Sequence, residues 1–333
     1  MRPSVPQSEH GHFLQPEGLA LLEGWFPGFT SDALSQGAVL APPGHHRLFT
    51  DGVPADFPDV TMLMAGRPFL EDQIRRRITT MPHVEIRQAR VTGLRFRGDA
   101  VGGVAYRPAD AAETSTERSL DVDIAVDATG RSTKIARWLR PGGFEVPLVE
   151  RVPVGVSYVT ALFDRPGKPE IACALDQFAA SDHQPSTSDE APGGMAVYAI
   201  EGNLWQVVTM TYGRDQLAAT VQDLRDIAAQ RPAVFQEATR GNPVGKPVTY
   251  YYRESVRHSV PSPESYPTGL LSLGDAVASF NPVLGQGMLS AAKQASVLAD
   301  FLSSSRNPAA ETRKFIRLQD AAVDELWHNQ TNS

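Results

Sequence analysis

The segment Gly274-Asp275-Ala276-Val277-Ala278-Ser279-Phe280-Asn281-Pro282-Val283-Leu284-Gly285-Gln286-Gly287-Met288 constrains this chain more than any other. It follows a short apolar run, Gly269-Leu270-Leu271-Ser272-Leu273, that reads as a strand. A long helix should follow it, with Met288, Ala291, Ala292, Ala295, Leu298 and Phe301 as its buried stripe. The segment is therefore a strand end, an acidic residue, a proline-shaped loop and a glycine-rich helix entry. In open α/β sheets, ligands bind outside the carboxyl ends of strands. Asp275 stands at such an end and can accept hydrogen bonds from ligand hydroxyls. Gly285 and Gly287 let a backbone approach a ligand closely. The helix beyond them offers amides and the positive end of its dipole.

A second turn has the same placement. Leu120, Val122, Ile124 and Val126 alternate with Asp121, Asp123 and Ala125, which predicts one strand running into Asp127-Ala128-Thr129-Gly130-Arg131-Ser132. A third candidate is Gly66-Arg67-Pro68-Phe69-Leu70-Glu71. Proline is tolerated at a first helical position, and Leu70, Ile74 and Ile78 recur at four-residue spacing. Arg67 can serve a ligand there or pair with Glu71.

These motifs resemble single-component flavin monooxygenases, the group of para-hydroxybenzoate hydroxylase, squalene-type epoxidases and polyether epoxidases. The 274–288 segment is similar to that group's second FAD fingerprint. The resemblance implies that Asp275 contacts the ribityl chain, and that Pro282, Gly285, Gln286, Gly287 and Met288 wrap the flavin ring. Asp127 and Gly130 occupy the place of the Asp-Gly motif, with Arg137 as the basic residue downstream. Here the turn reads Asp-Ala-Thr-Gly, a departure that bears on NAD(P)H as the reductant. Arg67 is similar to the arginine that opens a helix beside the flavin. The resemblance begins near residue 5 and covers nearly all the chain.

Members of this group carry a βαβ unit with Gly-x-Gly-x-x-Gly, spanning about 30 residues, that holds the ADP half of FAD. No such fingerprint occurs in this sequence. The expected fold is an α/β, Rossmann-like FAD-binding domain of the glutathione-reductase type, incomplete at its N-terminus, with an inserted β-rich substrate lobe. The expected boundaries are 1–150 for a partial FAD domain with a hairpin at 37–51, and 151–265 for the lobe. Residues 266–303 should return to the FAD domain, and 304–333 should form a helical tail. Within the lobe, strands are expected over 152–162, 195–200, 205–212 and 249–260, a helix over 217–229, and a loop over 179–194. A small meander is expected over 83–107.

Composition narrows the partners. The chain has 333 residues, 41% hydrophobic, and a net charge of −7 with no basic block, which argues against nucleic acid. Arg75-Arg76-Arg77 reads as a solvated face. No run of about 18 apolar residues exists, so no membrane span is expected. The lone cysteine, Cys173, lies in an apolar run and reads as an inert core thiol in a cytoplasmic protein. His10 and His12 read as packing or loop histidines, with a metal pair as the alternative. The expected activity is FAD-dependent oxidation of a small organic molecule, by hydroxylation or epoxidation. A flavin-dependent halogenase or prenyl-reductase relative is the first rival, although Leu204-Trp205-Gln206 only echoes the halogenase Trp-x-Trp-x-Ile-Pro segment. A remnant that holds no FAD is the second. Substrate identity and oligomeric state are not encoded in any motif.

Overall fold

The computed structural model describes residues 9–110, 116–179, 192–214 and 217–331. In chain order the elements are α1 (Pro16–Trp25), α2 (Phe29–Ser35), β1 (Val39–Ala41), β2 (His46–Thr50), β3 (Val53–Ala55), β4 (Met62–Met64) and α3 (Arg67–Thr79). Then come β5 (Ala89–Arg97), β6 (Ala100–Pro108), β7 (Arg118–Asp121), β8 (Ala125–Asp127) and α4 (Ile135–Leu139). The middle of the chain supplies β9 (Leu148–Asp164), β10 (Cys173–Ala179), β11 (Pro192–Ile200), β12 (Leu204–Tyr212), α5 (Val221–Ala229), α6 (Ala233–Arg240) and β13 (Pro243–Ser259). The last elements are β14 (Leu270–Ser272), β15 (Ala278–Ser279), α7 (Gly287–Ser304) and α8 (Thr312–Thr331).

Contacts divide the chain into two units, Met1–Thr80 with Val154–Arg253, and Met81–Pro153 with Glu254–Ser333. These divisions differ from those expected at 150 and 265. Residues 1–80 belong with the β-rich middle of the chain because β2 pairs in parallel with β10, setting His46 opposite Cys173 and Thr50 opposite Gln177. That pairing spans more than a hundred residues, and no local pattern announces it. The strands β9 and β13 cross the division, so each contributes to both units.

The first unit is a mainly antiparallel sheet in which β9, β12, β11, β10, β2 and β3 lie side by side. Its register places Thr160 opposite Val208, and Gln206 opposite Tyr198. One face buries Phe163, Trp205, Val207 and Val197 with Leu224, Ile227 and Phe235 of α5 and α6. The expected helix over 217–229 begins only at Val221. Thr220 and Asp223 form a capping box, with the Thr220 hydroxyl accepting from the Asp223 N–H and the Asp223 carboxylate accepting from the Thr220 N–H. The expected hairpin at 37–51 does not form. β1 pairs with β4, and the true hairpin joins β2 to β3. The stretch expected as a loop over 179–194 lies mostly outside the described residues.

The second unit holds the three-stranded meander β5-β6-β7 and a two-stranded parallel pair, β8 with β14. The single strand expected to reach Asp127 is two strands in two sheets. Residues 118–121 complete the meander, whereas 125–127 lie beside β14, with Ala125 opposite Leu270 and Asp127 opposite Ser272. The C-terminal helix α8 is part of this core rather than a tail. It buries Phe315, Ile316, Val323, Leu326 and Trp327 against β14, α7 and their neighbours. The stripe expected on α7 is rotated. Leu289, Ala292 and Phe301 are buried, Met288 is half-buried, and Ala291 faces solvent.

Candidate functional site

In the second unit, adjacent parallel strands deliver two of the sequence-predicted turns to one sheet end. β8 ends at Asp127 and β14 ends at Ser272, and the Leu273 N–H donates to the Asp127 carbonyl at 2.9 Å. The arrangement places the 127–133 turn and the 274–288 segment side by side at the carboxyl ends, where α/β sheets hold ligands.

Asp127 spends its carboxylate on its own turn. It is 6% exposed. Oδ1 accepts from the Thr129 N–H at 3.0 Å and the Thr129 hydroxyl at 2.6 Å, and Oδ2 accepts from the Thr133 hydroxyl. Gly130 then turns with φ +76° into a single 3-10 turn, Gly130–Ser132. Arg131 donates to the Glu254 carbonyl at 2.5 Å. Asp127 thus shapes the turn from beneath, and the backbone of the turn is what faces outward.

The 274–288 segment is built from tight turns. A 3-10 turn spans Gly274–Ala276 and carries the half-buried Asp275. The two-residue strand β15 pairs Ala278 with Arg257 and Ser279 with Val256, pinning the middle of the segment. Asn281 Oδ1 accepts from the Val283 N–H at 3.1 Å and starts a second 3-10 turn, Pro282–Leu284, with Pro282 exposed. Gly285 closes it at φ +63°, a left-handed value that costs an L-residue with a side chain about 1–2 kcal/mol. The helix α7 begins two residues later. Among the described residues no side chain caps it, and Gln286 Oε1 is buried with no hydrogen-bond partner. Uncapped amides, a left-handed glycine and an orphaned acceptor therefore converge within three residues.

The third predicted residue, Arg67, lies in the first unit and opens α3 behind Gly66 and Pro68. Its Nε donates to Glu71 Oε1 at 2.9 Å, and Nη1 lies 3.2 Å from His12 Nε2. Glu201, in the turn between β11 and β12, accepts from the Gly66 N–H at 2.8 Å and so fixes the start of α3. No sequence signal pointed to Glu201, because a glutamate in a β-turn reads as solvent-facing. His10 and His12 are packing histidines with specific partners. His10 Nδ1 bonds the Thr160 hydroxyl at 2.8 Å and its ring leans on Tyr158 and Tyr250, while His12 Nδ1 donates to the His10 carbonyl at 2.7 Å. Burial pushes both imidazoles down to about 4, and the Arg67 charge adds to the effect at His12. Cys173 is fully buried and its thiol is pushed up to about 12 by desolvation. Among the described residues, no helix is long and apolar enough to cross a membrane.

Known proteins share this architecture. No family model matches the chain. Protein Rv3254 of Mycobacterium tuberculosis is 29% identical, over 99% of this chain and 73% of its own length. Among solved structures, PqsL of Pseudomonas aeruginosa, described as a probable FAD-dependent monooxygenase, superposes with a TM-score of 0.69 at 18% identity. The match covers 94% of this chain and 81% of PqsL. The myxobacterial FAD-dependent halogenase CndH superposes with a TM-score of 0.67 at 18% identity, covering 98% of this chain and 74% of its own. The chain thus has the α/β fold of the FAD-dependent monooxygenases and halogenases.

Proposed function

We propose that the chain is a FAD-dependent oxidoreductase that oxygenates a small organic molecule. The observation that carries this is the pairing of β8 with β14, which brings the Asp127–Gly130 turn and the Asp275–Met288 segment to one sheet end beside an uncapped helix start. The residues present fit the flavin half of FAD. Asp275 would hold ribityl hydroxyls. Gly287 has open space where a side chain would stand, room for a flat ring to lie against the backbone, and Gln286 Oε1 is an acceptor to offer. The uncapped amides of α7, with the helix dipole behind them, favour negative charge at the ring edge they meet. Gly130 and its turn would serve the ribityl or phosphate region. For the ADP half, this sequence contains no Gly-x-Gly-x-x-Gly cradle.

When bound, FAD supplies the oxygen-activating chemistry, and NAD(P)H is the proposed reductant. The protein's part is to bind and orient the cofactor and to stabilise charge at a stated place, the α7 N-terminus. No side chain is assigned as an acid, base or nucleophile. Halogenation is the second reading, and the fold shared with CndH supports it as well as the fold shared with PqsL supports oxygenation. The discriminating experiment is to purify the chain, titrate it with FAD, reduce it with NAD(P)H, and admit oxygen with candidate aromatic or alkene substrates, with and without bromide or chloride. A yellow complex whose products gain one oxygen atom supports oxygenation, and halide-dependent products favour the rival. A protein that takes up no flavin at millimolar FAD refutes both.

A further inference from the structure

Two buried amides on α7 and α8 have no part in the reading above. Gln294 is completely buried, and Gln319 is 5% exposed. Gln294 Oε1 accepts from the Gly274 N–H at 2.9 Å and from Gln319 Nε2 at 3.1 Å, while Gln294 Nε2 donates to the Ser290 hydroxyl at 3.0 Å. Gln319 Nε2 also donates to the Ser272 carbonyl at 2.6 Å. The pair therefore ties the last residue of β14, the first residue of the Asp275 turn, and both helices into one network.

The geometry says what this network controls. Gly274 has φ +63°, and the space where its side chain would sit is 3.8 Å from the Ala291 methyl of α7. Its N–H finds its acceptor in a side chain two helical turns along α7. An apolar residue at 294 would pack between the helices equally well. It would, however, strand the Gly274 N–H and a Gln319 proton in the interior, which is expensive for buried donors. The orientation of the residue that follows, Asp275, is thus set by the helix whose own N-terminus completes the candidate site.

We propose that Gln294, braced by Gln319 and Ser290, is a positioning residue for the flavin site. It locks the Gly274–Asp275 turn to α7, so that the carboxylate and the helix N-terminus keep a fixed spacing. This rests on the flavin reading of the site.

The test uses the full chain as wild type, Gln294→Met, Gln294→Glu, Gln319→Met, and Ile227→Ala as a destabilised control whose buried side chain belongs to the first unit. FAD affinity is measured by fluorescence titration, the two-electron reduction potential by dye equilibration, and stability by thermal unfolding. Gln294→Met should weaken FAD about ten-fold or more and shift the potential. Gln294→Glu keeps an acceptor for the Gly274 N–H in either protonation state and should return the affinity to within about three-fold of wild type. Ile227→Ala should lower the melting temperature and leave both flavin readouts unchanged. Should Gln294→Met not fold, Gln319→Met carries the same expectation. Wild-type affinity and potential in the methionine variants, with only stability reduced, would overturn the proposal. Absence of FAD binding by the wild type would instead remove the flavin reading on which it stands.

Discussion

Acid should weaken the first unit through His10 and His12, and the size of the effect follows from their burial. Both imidazoles ordinarily titrate near 6.5 and are held at about 4 in the folded chain. Between those values the unfolded chain takes up protons that the folded chain refuses. Stability is therefore full above pH 6.5 and is lost as pH falls toward 4. A displacement of that size is worth roughly 3 kcal/mol per histidine by pH 4, and about 2 kcal/mol at pH 5. His10 should realise most of this. His12 should realise less, because it is only half-buried and water relieves part of the cost. Protonating His12 also takes away the acceptor facing Arg67 Nη1 at 3.2 Å and sets two cations side by side.

The assay is urea unfolding at pH 7.5, 6 and 5 for wild type, His10→Gln, His12→Gln and the double variant. Wild type should lose about 3–4 kcal/mol between pH 7.5 and 5 through these two groups. Each single variant should lose less, and the double variant should show that part of the dependence abolished. Asp176 works in the opposite sense, since burial raises its carboxyl and acid relieves the penalty. It is common to all four proteins and cancels in the comparison. A double variant with the same pH dependence as wild type would refute the reasoning.

Three further outcomes follow from single residues. A Cβ at Gly241 would stand 2.0 Å from the Asp164 carbonyl oxygen, so Gly241→Ala must push the backbone apart and should cost several kcal/mol, read as a fall in the thermal midpoint. Asp127→Ala removes the acceptor of three hydrogen bonds and should cost about 2 kcal/mol in urea unfolding; Asp127→Asn, which keeps one acceptor and gains a donor, should cost about half that. Cys173, buried with a thiol pushed up to about 12, should react with a thiol reagent only after unfolding; rapid labelling of the native protein would contradict its placement in the core.

The parts legible in the sequence were those with a local cause. The acid and glycines of the 274–288 segment and the Asp-Ala-Thr-Gly turn are local signals of turns, although the alternation expected to lead into Asp127 is divided between two sheets. What was hidden depends on distant partners. The parallel match of β2 to β10 sets residues 46–50 beside a strand more than a hundred residues on. The break at residues 122–124 is set by the chain around it, where the Val122 N–H donates to the Gly102 carbonyl and Ala125 N–H to the Gly269 carbonyl. Gln319 did leave a trace. It falls three residues after Ile316 and four before Val323, on the buried face of α8, where a polar residue signals a specific partner. Gln294 left less, because the stripe on α7 was read one step out of phase.

One physical habit recurs in the turns at the β8 and β14 ends of the second unit. Asp127 bonds the Thr129 amide, Gln294 the Gly274 amide and Asn281 the Val283 amide. In each case a side chain holds a backbone turn in shape through one of its amides. Apolar packing could not do this, since it fixes a side chain's volume but leaves a peptide plane free to rotate. A ring system recognised by backbone contacts needs peptide planes held in place before it arrives. Three polar side chains, each accepting from a backbone N–H, supply that order. They also explain why these turns can carry residues as small as glycine without losing their shape.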